Sequence, residues 1–396
     1  MHPTPYIPQD QAPEDLQNTV VEVARLDAQL YRMIPGPMRQ PMIHLLRQVN
    51  SFYSNRIEGN PTLPGDVLRA QQEAAAPDAS EDILEIKRHI DAQCRLSEDP
   101  ISPVDICSRA SILRIHREFY TGMPDKYLNL KYPSGEVVRL VPGEFRDREV
   151  TVGNHRPPSV AEMLSHMNWF EGAYRLDWIR GAVSPILAAA GAHHRLMWIH
   201  PFLDGNGRTG RLFTDQYLRA SGLGGYGLWS INRGFGRNVE GYYEALKSAD
   251  RARTSDFDGR GLLSGAGLLA WTKYFIETAL DQLVYFTSVL EPKKLHGRIH
   301  AYFHMRASES WATRTGETVP KLRIEAHQIY TALLTEGPKE RSEIMGLTQL
   351  TEYQTRSLLN QMATEGLISL EPRRPVSLRI SPDMVETFFP NLFVGA

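Results

Sequence analysis

The longest stretch free of Lys, Arg, Asp and Glu runs from Gly181 to His194, inside a longer run, GAVSPILAAAGAHHRLMWIH, that ends at His200. Small apolar residues fall on every side of the helix this run would form, and a helix apolar all round must be covered all round. The chain therefore has to build a shell of further elements about residues 181–200, which puts this helix at the centre of the fold. The stretch is well short of the roughly 20 apolar residues that cross a bilayer, so no membrane helix is expected. The material for a shell is ample. Of 396 residues, 42% are hydrophobic and 23% charged, which excludes wholesale disorder. At about 150 residues per domain, two or three units are expected around one large helical or mixed core.

Charge narrows the range of partners. The 44 basic and 46 acidic side chains leave a formal charge of -2, so no broad cationic field attracts nucleic acid or anionic lipid, and any such binding has to be local. The opening residues, MHPTPYIPQDQAPEDL, contain no basic cluster followed by an apolar core and do not read as a secretory signal. Only Cys94 and Cys107 occur, with no CxxC. Reduced thiols and a cytoplasmic location are expected, rather than a disulfide or a zinc site.

Along the chain, residues 1–16 read as a loose Pro-rich arm, and a helical pattern over Thr19–Tyr31 is broken by Pro35, Gly36 and Pro37. Apolar residues at Met42, Leu45 or Leu46, Val49 and Tyr53 give a helix ending at Glu58, with Gly59 as its stop. After an AAAPDAS connection come two helices, DILEIKRHIDAQC and SPVDICSRASILRIHREFY. Alternating β-branched positions and a Pro-Ser-Gly turn over residues 127–153 predict short strands or a hairpin. Helices resume at SVAEMLSHMNWFEGAY and in the apolar run, which Pro201 ends. Another should begin near Gly207, a Gly-rich turn spans Gly222–Gly227, and two helices fill Glu240–Leu290. Beyond Pro292 lies a basic helical stretch, then a TRTGETVPK linker. The domains are thus read as 1–95, 96–292, 293–320 and 321–396.

The stretch richest in chemistry is His200-Pro-Phe-Leu-Asp204-Gly205-Asn206-Gly207-Arg208-Thr-Gly-Arg211. GNGRTG fits the glycine pattern of a dinucleotide-binding turn, but that turn follows a strand and needs an acid about 20 positions on. Here a helical run precedes it and residues 220–232 contain no acid, which excludes that reading. Glycines at a helix start let backbone N–H groups approach an anion, and the helix dipole favours negative charge there. Arg208 and Arg211, three apart, should point from one face toward the same anion. Asp204 suits a divalent cation on phosphate oxygens, and His200 suits removal of a proton from an attacking hydroxyl. Together these parts suit nucleotide-dependent transfer to a hydroxyl.

This segment resembles the Fic-family signature, His-Pro-Phe-x-Asp/Glu-Gly-Asn-Gly/Lys-Arg-x-x-Arg, at every fixed position. The likeness extends through Pro142-Gly-Glu-Phe-Arg146, through the stretch from Val150 to Pro158 and through Tyr242-Tyr243-Glu-Ala-Leu, covering roughly residues 100–290. The resemblance implies a mainly α fold: a Fic-type helical core with a β-hairpin flap, catalysing transfer of AMP from ATP to a Ser, Thr or Tyr hydroxyl of a target protein and of the chain itself. By that resemblance His200 is the general base, Asp204 binds Mg2+, and Phe202 anchors the loop. Asn206 with the Gly205 and Gly207 amides forms the anion hole, and Arg208 and Arg211 hold the polyphosphate. Gly207, where Doc-type kinases have Lys, favours AMP transfer over phosphorylation. The flap at Val150, Thr151, Val152 and Gly153 offers a strand edge for target docking, a plain structural hairpin being the alternative. Tyr242 and Tyr243 are candidates to line an adenine pocket, and packing alone also produces such a pair.

Ser54-Asn-Arg-Ile-Glu58-Gly59 matches the family's inhibitory pattern Ser/Thr-x-x-x-Glu-Gly/Asn. Ser54 and Glu58 share a helix face, and Glu58 is expected to pair with Arg211 at the γ-phosphate position. From Lys321 onward the order helix, helix, helix, strand, turn, strand resembles a winged helix-turn-helix domain with Thr351–Glu365 as recognition helix. Eight basic and seven acidic residues over 321–380 make a weak field for duplex DNA. Arg373 and Arg374 in the wing are its best phosphate contacts, and a docked protein or a homodimer is the alternative partner. Two further functions fit the same residues: a hydrolase that removes AMP, with Glu58 placing a water, and a transcriptional regulator whose core senses nucleotide.

Overall fold

The computed structural model describes residues 1–70, 80–132, 135–153, 155–312 and 318–394 and is mainly helical. Helices α1 (Glu14–Met33) and α2 (Gly36–Ile57) open the chain, followed by α3 (Pro64–Ala70), α4 (Glu81–Glu98) and α5 (Arg109–Tyr120). Pro35 and Pro37 separate the first two. Pro37 falls in the first turn of α2, where its missing N–H leaves no bond unmade. An antiparallel hairpin of β1 (Asn129–Lys131) and β2 (Val137–Arg139) sets Leu130 opposite Val138. Then come α6 (Val160–Ala173), α7 (Ser184–Ile199), α8 (Asn206–Ala220), α9 (Ile231–Arg237), α10 (Val239–Asp250) and α11 (Gly265–Val289).

Helix α7 is the centre that its composition requires. Every residue from Pro185 to Leu196 is buried, and α6, α8, α10 and α11 pack round it. Gly191 costs the helix about 1 kcal/mol relative to Ala, whereas each fully buried Leu or Ile contributes about 2 kcal/mol. Packing therefore decides the conformation. Among the described residues, no helix is long and apolar enough to cross a membrane.

Three expectations need correction. Residues 1–13 are not a loose arm. The His2 ring stacks on Trp169 with centroids 5.5 Å apart, Arg195 Nε donates to Thr4 O at 3.1 Å, and the Tyr174 hydroxyl donates to Pro5 O. Prolines keep an α-helix from forming there, leaving one short 3-10 turn at Gln9–Gln11 and carbonyls free to accept bonds from buried donors. Gly191 is the place where this segment crosses α7, since a Cβ there would run into Pro5 O and come within 2.8 Å of Tyr6 Cβ. The second correction concerns the flap. The paired strands lie at 129–139, and Val150–Gly153 is not in a strand; Val152 and His155 exchange both backbone hydrogen bonds across a tight turn. The third concerns helices α3, α9 and α16 (Pro382–Phe388), which periodicity did not reveal. Helix α9, INRGFGR, has two glycines and forms because Ile231 through Gly236 are all buried.

The C-terminal part contains α12 (Pro292–Ser308), β3 (Trp311–Ala312) paired with β4 (Thr318–Val319), α13 (Glu325–Glu336), α14 (Arg341–Thr348) and α15 (Glu352–Thr364). Then β5 (Ile368–Ser369) pairs with β6 (Ser377–Leu378), before α16. Thr351 and Gln354 form a capping box at the start of α15. Most of the AAAPDAS connection, Pro133 and Ser134 of the Pro-Ser-Gly turn, and residues 313–317 of the linker lie outside the described residues. Helix α13 packs on α2. The final residues return to the core, where Tyr53 donates to Leu392 O at 3.1 Å, Arg233 Nε donates to the same carbonyl at 3.0 Å, and Phe393 meets Phe52 edge-on.

Replacing Gly191 by Val should lower stability by about 1–3 kcal/mol and open residues 1–7 to limited proteolysis. Unchanged denaturant unfolding with an intact N-terminus would contradict the crossing.

Candidate active site

The site is built on the turn between α7 and α8. Pro201 cannot continue α7, and His200 leaves it in the left-handed region (φ 50°, ψ 62°). Arg146, buried, fixes this turn from outside: its Nε donates to His200 O at 2.9 Å, and its own N–H donates to Pro201 O. His200 Nδ1 faces Met197 O at 3.3 Å. That contact makes Nδ1 the protonated nitrogen and leaves Nε2 as an acceptor. Burial, followed by the nearby His155 and Arg146 charges, lowers the His200 pKa to about 4. The ring is therefore neutral and able to take a proton at neutral pH.

Both ends of the Asn206 amide are used locally. Phe202 N–H donates to Oδ1 at 2.9 Å, and Nδ2 donates to Phe202 O at 2.8 Å. The Phe202 ring stacks on His116 at 3.9 Å. His116 accepts from Gly143 N–H through Nδ1 and donates through Nε2 to Asp204 O at 3.2 Å. Gly205, at φ 75°, turns the chain into α8 and leaves no room for a side chain beside the Tyr120 hydroxyl. No side chain caps α8, so its first N–H groups remain available to an anion.

The two arginines pair with different carboxylates, although the charges of both act on Glu58. Arg208 Nη1 binds Glu85, its Nη2 lies 3.6 Å from Asp204, and its guanidinium sits 4.9 Å from the Phe119 ring centre. Arg211, wholly buried, donates from Nε to Ser54 Oγ at 2.8 Å and from Nη2 to Ser54 O and to Glu58 Oε1, the last at 2.5 Å. Its Nη1 is buried with no partner. Burial alone would raise the Glu58 pKa, but the Arg211 and Arg208 charges and the Arg211 hydrogen bond outweigh it and hold the carboxyl below its usual range. Glu58 caps α2, and Gly59, at φ 86°, lets the chain turn away behind it. One turn before Ser54, Asn50 donates to Asp215 Oδ2 at 2.7 Å, one turn beyond Arg211. This bond fixes α2 against α8.

Tyr242 is wholly buried and pairs with His193 at 2.9 Å, within an aromatic core that includes Phe235 and Trp271. Arg211 also acts on the Tyr242 hydroxyl, through a hydrogen bond and its charge. Tyr243 is 41% exposed and donates to Ile57 O at 3.0 Å. Glu85, Tyr120 and His116 are the participants that the sequence reading missed. Each occupies an ordinary helical position in α4 or α5, and only the tertiary fold brings it to the loop.

The residues present suit a divalent cation brought in with phosphate. Tyr120 donates to Asp204 Oδ2 at 2.7 Å, and the carboxylate remains 45% exposed. Burial opposes ionisation of Asp204, but Arg208 and the Tyr120 bond lower its pKa. No group of three or more His, Cys, Asp or Glu side chains is arranged to hold a metal among the described residues. The other ligands would have to be phosphate and water oxygens, as is usual for Mg2+.

Residues 106–218 match the Fic/DOC family. Two proteins described as "Protein adenylyltransferase Fic" are similar. The one from Drosophila willistoni is 41% identical over 92 residues, which is 22% of this chain and 18% of that protein. The one from Nematostella vectensis is 30% identical over 179 residues, 43% of this chain and 37% of that protein. The matched part thus spans well under half of these relatives' length. A Fic family protein from Desulfovibrio desulfuricans G20 has the same fold over 96% of this chain and 98% of its own, with a TM-score of 0.56 at 16% identity. A Fic domain containing signaling protein from Bacteroides thetaiotaomicron aligns with 69% of this chain and 97% of its own, with a TM-score of 0.51 at 20% identity. The turn that carries His200, Asp204, Arg208 and Arg211 thus lies within the segment, residues 106–218, that matches the Fic/DOC family.

Proposed function

We propose that this chain is a protein adenylyltransferase that is held inactive by Glu58. The observation that carries this reading is a neutral His200 with a free Nε2, beside an uncapped helix start where a buried arginine nitrogen lacks a partner. In the reaction, the oxygen of a target Ser, Thr or Tyr hydroxyl bonds to the α-phosphorus of ATP as the α–β bridging P–O bond breaks. His200 Nε2 takes the hydroxyl proton, and pyrophosphate leaves. Negative charge that develops on the α-phosphate and on pyrophosphate faces the α8 amides, Arg208 and Arg211. Mg2+ bound at Asp204 would neutralise phosphate charge. The turn at Val150–Gly153 is the part of the flap that would align a target segment. Glu58 occupies Arg211 and keeps the γ-phosphate from seating, so the α-phosphate is left poorly aligned.

His200→Ala should abolish transfer while leaving ATP affinity nearly unchanged, because it removes a proton acceptor and no phosphate contact. Calorimetry and mass spectrometry of modified protein read the two effects separately, and retained turnover would refute the role. The depressed His200 pKa adds a sign. The base form persists above about pH 5, so the rate of a Glu58→Gly variant should stay flat from about pH 8 to 5.5 and fall only toward pH 4. A half-maximum near pH 6.5 would contradict this.

Glu58→Gly should raise the initial rate about tenfold or more, because a misplacement of about 1 Å can cost a factor of about a hundred. Labelling of the chain itself should rise together with labelling of targets. An unchanged or lower rate refutes the inhibitory role. Loss of AMP removal with no gain in transfer would favour hydrolysis with Glu58 orienting water.

The C-terminal elements fit a winged helix-turn-helix reading. A groove of about 710 Å³ is lined by Arg341, Arg356 and Arg373 together with apolar residues of α14 and α15. If duplex DNA binds there, Arg373→Ala with Arg374→Ala should weaken it about equally for all sequences. Absence of any duplex affinity at low salt would assign this part to a protein partner or a second copy.

A further inference from the structure

The two arginines of the loop are held by carboxylates from different helices, and the reading above uses only Glu58. The second is Glu85 of α4. Its side chain is 19% exposed and that of Arg208 8%, so the pair is largely shielded from water. Glu85 Oε1 accepts from Arg208 Nη1, and Oε2 accepts from Asn60 Nδ2 at 3.2 Å. Asn60 follows Gly59 directly. Its own N–H returns to Asn55 O at 3.1 Å, and Nδ2 also donates to Asp82 O at 3.0 Å. The short turn at the end of α2 therefore reaches both arginines, Arg211 through Glu58 and Arg208 through Glu85.

We propose that Glu85 is a second restraint on the nucleotide site, holding Arg208 as Glu58 holds Arg211, with Asn60 coupling the two. The inference rests on the reading that these arginines receive the polyphosphate of ATP. Its physical basis is charge. A carboxylate in contact with a guanidinium, in surroundings that screen poorly, cancels much of the attraction an incoming anion would feel. Asp204 also lies near Arg208, but a cation arriving with the nucleotide would occupy it. Glu85 has no such release. Nor is Glu85 alone in placing Arg208, because the guanidinium also lies against the Phe119 ring, a contact that nucleotide binding leaves in place. Any movement of the Glu58–Asn60 turn that draws Glu58 off Arg211 also draws the Asn60 amide off Glu85. The two restraints then loosen together, and an event that bends this turn acts on both arginines.

The test is ATP affinity by calorimetry in full-length chains carrying His200→Ala, so that binding is read without turnover. Glu58→Gly, Glu58→Gly with Glu85→Gln, and Asn60→Ala are compared with the His200→Ala parent. Glu85→Gln keeps the shape and an acceptor for Arg208 while removing the charge. It should tighten ATP binding a further three- to tenfold, roughly, beyond Glu58→Gly. Asn60→Ala, which touches neither arginine, should tighten it by a smaller factor and serves if Glu85→Gln folds poorly. With His200 restored, the Glu85→Gln gain should appear in KM for ATP and not in kcat, a split that a merely structural role would not produce. If Glu58→Gly tightens binding but Glu85→Gln weakens it or leaves it unchanged, the restraint is overturned, and Glu85 becomes a support of Arg208. If Glu85→Gln tightens binding but Glu58→Gly does not, Glu85 stands as a restraint and the inhibitory role of Glu58 fails. ATP binding in none of the variants would overturn both readings.

Discussion

Arg211 carries a permanent charge yet is wholly buried, and an uncompensated cation in that position costs several kcal/mol. The rest of the architecture answers this constraint. Ser54 and Glu58 of α2 supply the counter-charge and acceptors, and the Asn50–Asp215 bond one turn away fixes the same two helices to each other. Buried Asp215 has its pKa raised to about 6 by desolvation, against the hydrogen bonds of Tyr226 and Asn50. Helix α2 is in turn covered by α13 and by the chain end at Leu392 and Phe393. The helix that neutralises Arg211 is thus held from both sides, and the C-terminal elements sit on its outer face.

A counter-charge can be exchanged for another of the same sign. Arg211 needs an anion, and a phosphate oxygen satisfies that need as well as a carboxylate does. Its partnerless Nη1 gives an entering phosphate a bond that Glu58 does not make. On the function proposed above, the Glu58 carboxylate and a nucleotide phosphate are alternative solutions to one electrostatic problem. His200 lies outside this exchange, because Arg146 and Met197 set its position and tautomer independently of α2. The position and tautomer of His200 therefore do not depend on which anion Arg211 holds.

Much of this was legible in the sequence because it is local. The all-round apolar run marked α7, Pro201 and the glycines marked the turn, and Ser54 and Glu58 share a helix face at four-residue spacing. The rest required tertiary structure. The three-residue spacing of Arg208 and Arg211 does not reveal that each pairs with a carboxylate on a different helix, and nothing in α4 distinguishes Glu85 from a solvated acid. Tyr242 and Tyr243 are adjacent in the chain, yet a helix places consecutive residues about 100° apart, so one enters the core and the other reaches Ile57. The N-terminal prolines fit the lack of an α-helix before Glu14. They carried no information about docking, which depends on Gly191 and Arg195, nearly two hundred residues away.

The proposed reaction forms its new bond to the α-phosphorus of ATP. The most direct test follows the fate of phosphate in the Glu58→Gly chain. Label in the α-phosphate should remain on the protein after denaturation, and label in the γ-phosphate should leave with pyrophosphate. Retention of the γ-label without the α-label would mean phosphoryl transfer and would contradict the account.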